Sequence, residues 1–357
     1  KTERFAEGRP AKSRIRRASA ETLQEFFCEV YGFARNVQGT NPTTLADLLG
    51  KDTLGKFLDW RITERGVKIR SLLASCSMVS HIVKTYPPLV EKGLQWIPQT
   101  VSQLWDEAED PDDKAKARKW VPYDELARIP EEIRREIGTL GSGDAKKKAT
   151  LFRDLLLIAW PLVQPWRQKN LRECKLGDPT KGANLFKSEI SPLSTVARPE
   201  WVQEALKKNP KEEFWQITFR REETKADRPV DAILPKQLVP LLEEYLKVHR
   251  PVLGRNGDPG TLFVNDQGRP YCKYTFCDRV KNITLRLVGR GVNPHLFRDI
   301  VAIKWLEKHP EDYLTVSKLL WHSDIRTTLR IYGKRFDESH ANRQMEQWLD
   351  ERSATEK

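Results

Sequence analysis

The chain has 357 residues, 39% of them hydrophobic and 31% charged, a composition that excludes wholesale disorder and leaves room for two or three domains. Its formal net charge of +12 suits a polyanionic partner. No run of about 18 apolar residues occurs, so no membrane span is expected. The five cysteines (Cys28, Cys76, Cys174, Cys272, Cys277) are scattered and odd in number, which excludes a disulfide framework and a cysteine metal centre and points to a reducing compartment. Cys272 and Cys277 read as small packing residues. No signal peptide is visible, and the expected location is the cytoplasm.

Residues 1–18 are basic and lack helical periodicity. Arg14, Arg16 and Arg17 in this tail are candidates for phosphate contacts, and a solvated tail fits the same residues. Ser19 can cap a helix carrying Leu23, Phe26, Phe27, Val30, Tyr31 and Ala34 at helical spacing. Asp52 can cap a second helix with Leu54, Phe57, Leu58 and Ile62 on one side, and Gly66 ends it. A third helix carries Ile69, Leu72, Leu73, Cys76, Val79 and Val83, and Pro87-Pro88 stops the pattern. Residues 19–86 therefore read as a small helical domain, and residues 87–118, with their acidic and then basic patches, as a linker or interdomain helix.

A larger region follows over residues 119–336. A helical segment at 123–137 and a strongly apolar helix at 151–162 flank a break at Gly141-Ser142-Gly143. Residues 214–219 and 230–234 suit two strands around a polar turn. Residues 237–248 are amphipathic, 249–270 are loop-like with a short strand at Leu262-Phe263-Val264, and 274–287 are helical. Lys273 and Arg279 add positive charge there and are further candidates for phosphate contact. Residues 337–351 read as a helix anchored by Met345 and Trp348, within a C-terminal tail of 337–357. The fold class expected is mainly α with a small antiparallel β-sheet.

Residues 293–332 concentrate the chemistry. His295 and Arg298 stand three apart on one helical face. Leu320-Trp321-His322-Ser323 follows a helical run, and Thr327-Thr328 precedes Tyr332. Arginine neutralises phosphate oxygens, imidazoles donate and accept protons, and a phenol can attack phosphorus. Each residue alone has a plainer reading: a cap for His295, an ion pair with Asp299 or Glu307 for Arg298, a core position for Tyr332. The order and spacing resemble the tyrosine recombinase (phage integrase) family, which carries His-x-x-Arg, then Leu-Gly-His-Ser, then Thr-Thr and the nucleophilic tyrosine. Trp321 departs from that pattern, since most members have glycine before the second histidine. It is a packing or phosphate-facing neighbour of His322, or else the catalytic group in its place.

The resemblance implies further assignments. Residues 19–86 would be a core-binding domain that clamps DNA, and 119–336 an α+β catalytic domain. The first catalytic arginine would be Arg167, with Asp178 eleven residues on; Arg172 is the rival because it also follows a leucine. Asn170 stands where members often have a carboxylate. Lys225, on the hairpin turn, would be the catalytic lysine. Arg167, Arg298 and His322 would clamp the phosphate, Tyr332 would form a 3′-phosphotyrosyl link, His295 would be the base or orient it, and Lys225 would protonate the departing 5′ oxygen. Neither metal nor other cofactor is called for. The implied partner is double-stranded DNA carrying recombination sites, bound by a homotetramer whose C-terminal helix docks on a neighbouring subunit, although packing within its own chain fits that helix equally. Alternatives are type IB topoisomerase-like relaxation and a silent DNA-binding regulator on the same scaffold.

Overall fold

The computed structural model describes residues 17–333 apart from 87–88, 90–91, 109–116, 192–193 and 255–256, together with 342, 345, 346 and 349. The side chain of Arg17, the basic tail before it and the C-terminal helix read at 337–351 lie outside the described residues. The chain divides into two compact units, Lys1–Asp113 and Lys114–Lys357.

The first unit is helical. Helices α1 (Arg17–Phe33), α2 (Lys56–Thr63), α3 (Ile69–Thr85) and α4 (Trp96–Glu107) share one apolar core. Phe57 is its centre, with Phe26 at 5.8 Å and Phe33 at 5.6 Å edge-on to it. Edge-to-face pairs of this kind add about 0.5–1.5 kcal/mol beyond burial. Asp52 does not cap α2: residues Lys51–Gly55 form a wider turn that runs into the helix, and Gly50 precedes it. The core does not end at residue 86. Leu89, Leu94, Ile97 and Val101 are buried in it, so the helix read as a linker is part of this unit.

The second unit is built around α6 (Ala145–Val163), which packs against α5 (Tyr123–Gly138). Residues 151–162 of α6 are buried on every side. A helix apolar all round belongs in the middle of a domain. Two buried charges interrupt it. Arg153 pairs with Asp154 at 3.0 Å and with Asp266 at 2.6 Å, and donates to the Val264 carbonyl at 3.2 Å. Arg279 closes on the other side of Asp154, with its Nε 2.9 Å from Oδ1. Buried charges persist only when paired in this way. Arg279 is thus engaged in the core network through Asp154.

A three-stranded antiparallel sheet lies on one side, in the order β1 (Leu185–Glu189), β2 (Glu213–Phe219), β3 (Val230–Ile233). Its register sets Leu185 opposite Ile217 and Phe219 opposite Val230. The protein is mainly α with a small antiparallel sheet, as its sequence pattern implies. Leu262-Phe263-Val264 is not a strand of that sheet: Val264 makes an isolated bridge to Pro270, and the three side chains fill the core. Cys272 is not a packing residue either. It is exposed and caps the helix that begins at Lys273, its sulfur accepting from the Thr275 amide at 3.4 Å.

Five helices then follow in the second unit: α7 (Gln168–Glu173), the short helices α8 (Glu200–Lys208) and α9 (Val239–Glu244), α10 (Lys273–Val288) and α11 (Pro294–Lys308). Two more, α12 (Tyr313–Leu319) and α13 (Ile325–Tyr332), complete the described fold. None of the described helices is long and apolar enough to cross a membrane.

Candidate active site

Helix α11 begins with an Asn293 cap, whose side chain accepts from the amides of His295 at 2.9 Å and Leu296 at 3.0 Å, and Pro294 occupies the first helical position. This is a favourable helix start. It fixes His295 in the exposed first turn and carries Arg298 and Asp299 one turn deeper, where they are 3% and 6% exposed.

Arg298 reaches two backbone carbonyls. Its Nη1 donates to the Pro165 carbonyl and its Nη2 to the Leu320 carbonyl at 2.5 Å. Both acceptors sit where helices end: Pro165 just after α6, Leu320 just after α12. A helix terminus leaves carbonyls without intrahelical partners, and a buried guanidinium satisfies them. Arg167, which precedes α7, donates from Nη1 to the Trp321 carbonyl at 3.3 Å. Arg172 turns to Glu173 instead. Burial, then the Arg167 charge, lowers the Arg298 pKa to about 10, and burial followed by Arg228 lowers that of Arg167. Both remain charged at neutral pH. Poorly solvated and mutually repelling, they favour an anion.

The end of α12 explains Trp321. His322 N–H bonds to the Ser317 carbonyl at 2.9 Å and Trp321 N–H to the Lys318 carbonyl at 3.0 Å. These two bonds are the Schellman ending of a helix, which requires a left-handed residue where glycine usually stands. Trp321 takes that conformation, with φ 51°. Its ring is buried beside Trp166 (centroids 5.4 Å apart) and Phe219 (5.6 Å). The backbone geometry that glycine normally supplies is kept, and aromatic packing holds it. Trp321 therefore packs into the core, and it is His322 that lines the cavity.

Helix α13 is capped by Asp324, which accepts from the Arg326 amide at 2.9 Å. Thr328 and Tyr332, four apart, share its buried face. The two threonines thus lie within a helix and not in the turn their composition suggests. The Thr328 hydroxyl shares a 2.8 Å hydrogen bond with His322 Nδ1. With the hydroxyl donating, the neutral ring directs its Nε2–H away from Thr328. Burial and the charges of Arg298 and Arg167 push the His322 pKa down to about 4. The Tyr332 hydroxyl donates to Asp299 Oδ1 at 2.7 Å.

Lys225 lies in the β2–β3 turn. Asn170 Nδ2 donates to the Glu223 carbonyl at 3.1 Å, and buried Thr224 donates from Oγ1 to the Arg228 carbonyl at 2.7 Å. Asn170 thus fastens the lysine's turn and does not orient Arg167. Asp178 caps a separate exposed turn, accepting from Thr180 at 2.8 Å. Lys273 is exposed at the start of α10, its ammonium 5.9 Å from the Tyr274 ring centroid.

Arg167, Lys225, His295, Arg298, His322 and Tyr332 line one cleft of about 360 Å³. The structure brings all six together from five chain segments. Asp299 lines it too, and was missed: beside Arg298 in sequence it reads as that residue's ion-pair partner. Arg228, whose charge bears on Arg167 and His322, was also missed, since nothing in its spacing marks it.

Residues 201–339 match the model of the phage integrase family. The chain carries a domain of the phage integrase, or tyrosine recombinase, family. The matched segment includes Lys225, His295, Arg298, His322 and Tyr332, while Arg167 lies before it. The chain is 35% identical over 91 residues to tyrosine recombinase XerC of Herpetosiphon aurantiacus, covering 26% of this chain and 29% of that protein. It is 32% identical over 106 residues to tyrosine recombinase XerD of Proteus mirabilis, covering 27% and 33%. The chain thus spans a third or less of the length of these tyrosine recombinases. Among solved structures, it is similar to the XerH site-specific recombinase in its post-cleavage complex with a palindromic difH substrate, at 15% identity and TM-score 0.46 over 92% of this chain and 85% of that one.

Proposed function

We propose that the protein is a site-specific DNA recombinase that cuts and rejoins strands through a covalent 3′-phosphotyrosine at Tyr332. The observation that carries this reading is the convergence of a buried phenol, two carbonyl-anchored arginines, a neutral imidazole and a lysine on one cleft. The scissile phosphate would enter between Arg167 and Arg298. In the pentacoordinate transition state, charge grows on its non-bridging oxygens. Fixed guanidinium and Nε2–H donors stabilise that charge without reorganising, which is usually the largest catalytic contribution. Tyr332 attacks phosphorus, and the 5′ oxygen leaves with a proton from Lys225. The new phosphodiester to tyrosine conserves bond energy, so the strand can be resealed without ATP. His295, in the exposed first turn of α11, would contact the bound DNA.

The net charge and the family relationship support duplex DNA as the substrate, with the first helical unit as a DNA-clamping domain and a homotetramer as the working assembly. The test is a nicked duplex drawn from the DNA flanking the protein's own gene, incubated in EDTA. The expected product is a denaturant-resistant adduct mapped to Tyr332, absent from Tyr332→Phe although duplex binding persists. The hydroxyl is a hydrogen-bond donor to a buried carboxylate, so the same substitution should cost about 1–3 kcal/mol in stability. An adduct surviving in Tyr332→Phe, with Tyr313→Phe as control, would place the nucleophile elsewhere.

A further inference from the structure

We propose that Asp299 is the general base that takes the proton of Tyr332 during strand cleavage, an assignment that rests on the recombinase reading above. Its Oδ1 accepts the phenolic proton at 2.7 Å. This contact touches the reacting oxygen, and both residues are nearly inaccessible, at 6% and 3% exposure. Bulk water therefore competes poorly for that proton. The contact is also fixed from both sides. Asp299 is on the buried face of α11, and Tyr332 ends α13, whose own buried threonine is tied to His322.

The step balances. The Tyr332 O–H bond breaks and its proton passes to Asp299; the oxygen's electron pair forms the bond to phosphorus. The P–O5′ bond breaks, and the 5′ oxygen keeps that pair and takes a proton from Lys225. Resealing reverses each transfer, with the protonated Asp299 returning its proton to the phenolate oxygen that leaves. A phenol's proton becomes strongly acidic as its oxygen bonds to phosphorus, so a carboxylate is a competent acceptor at that stage. The transfer also changes the local field in the useful direction. Before it, the carboxylate opposes the phosphate; after it, Asp299 is neutral while the phosphate charge is greatest, and the arginines act without that opposition. His295 was the sequence-based choice for this role, but it lies in the exposed first turn of α11, whereas the acceptor of the hydroxyl's 2.7 Å bond is Asp299.

The decisive experiment is the pH dependence of single-turnover adduct formation on the nicked duplex, with full-length protein. The charged or titratable groups lining the cleft with Asp299 and Tyr332 are Arg298, His295, Arg167, His322 and Lys225, and the charge of Arg228 bears on Arg167 and His322. Wild type should have a flat rate between pH 7 and 9, since Asp299 and not solvent takes the phenolic proton. Asp299→Asn keeps shape and a hydrogen-bond acceptor but cannot take a proton. It should be slowed about 10²–10⁴-fold at pH 7, and its rate should rise about tenfold per pH unit as phenolate forms unaided. Should Asp299→Asn fold poorly, Asp299→Ala with added formate is the second variant, and formate should restore a flat profile. A uniform loss with a flat profile would assign Asp299 a structural role and overturn the proposal. So would a near wild-type rate, or a rising profile in His295→Asn in place of Asp299→Asn. Absence of any adduct from wild type would instead overturn the recombinase reading on which the assignment stands.

Discussion

Replacing Trp321 by alanine and by glycine should reverse the usual order of these two residues. At an ordinary helical position alanine is the more stabilising of the pair, by about 0.5–1 kcal/mol. Trp321 has φ 51° and ends α12 with a Schellman pair of hydrogen bonds. Its ring is buried between Trp166 and Phe219, so truncation to alanine should cost about 3–5 kcal/mol. Alanine also keeps the left-handed strain of about 1–2 kcal/mol, which glycine does not carry. Glycine restores that amount but loses part of it to greater freedom in the unfolded chain. The net expectation is that Trp321→Gly is more stable than Trp321→Ala by about 1 kcal/mol, with both below wild type. Urea unfolding followed by far-ultraviolet circular dichroism measures this without relying on the altered tryptophan. An alanine variant as stable as the glycine variant, or more so, would refute the claim that the left-handed cap carries strain held by aromatic packing.

Three further outcomes are expected. Arg298→Ala should lose about 10²–10³-fold in cleavage and also stability, since the Pro165 and Leu320 carbonyls lose their donors at about 1–3 kcal/mol each; Arg167→Ala should lose cleavage with a smaller stability cost, and Arg172→Ala should stay active. Folding stability should fall as pH drops from about 6.5 towards 4, because the unfolded His322 gains a proton while the folded one, with its pKa near 4, does not. The full effect is about 3 kcal/mol at most, and His322→Gln should flatten it in acid titrations of the melting temperature. Duplex affinity should drop by orders of magnitude between low and moderate salt, as the +12 charge implies several released counterions; a flat salt response would remove the argument from charge.

What could be read from the sequence was whatever depends on spacing. The periodic helices of the first unit, the hairpin at 213–233 and the run from His295 to Tyr332 follow from local pattern. Strand β1 escaped because Leu-Phe-Lys-Ser-Glu mixes polar and apolar residues and pairs with β2 across more than twenty residues. Leu262-Phe263-Val264 misled in the opposite sense, since a short apolar run serves a buried loop as well as a strand. The partners of Asp299, Arg279 and Asn170 were not legible for one reason. Their partners, Tyr332, Asp154 and the Glu223 carbonyl, are distant in sequence, so only tertiary structure decides between an ion pair, a free cation and a turn anchor.

The site and the fold share the same hydrogen bonds, and this has a consequence for control. Arg298 joins the end of α6 to the end of α12, and Arg167 reaches the next carbonyl of that same ending. The arrangement of both arginines therefore depends on α12 ending in its left-handed cap. Helix α13 adds a second condition, because Thr328 sets the His322 ring and Tyr332, one turn further, meets Asp299. Lifting α13 away would remove the nucleophile and release the imidazole in one movement, while the arginines stay anchored on α6 and α12. On the proposed mechanism, such a state would hold DNA phosphate with its arginines and be unable to cut.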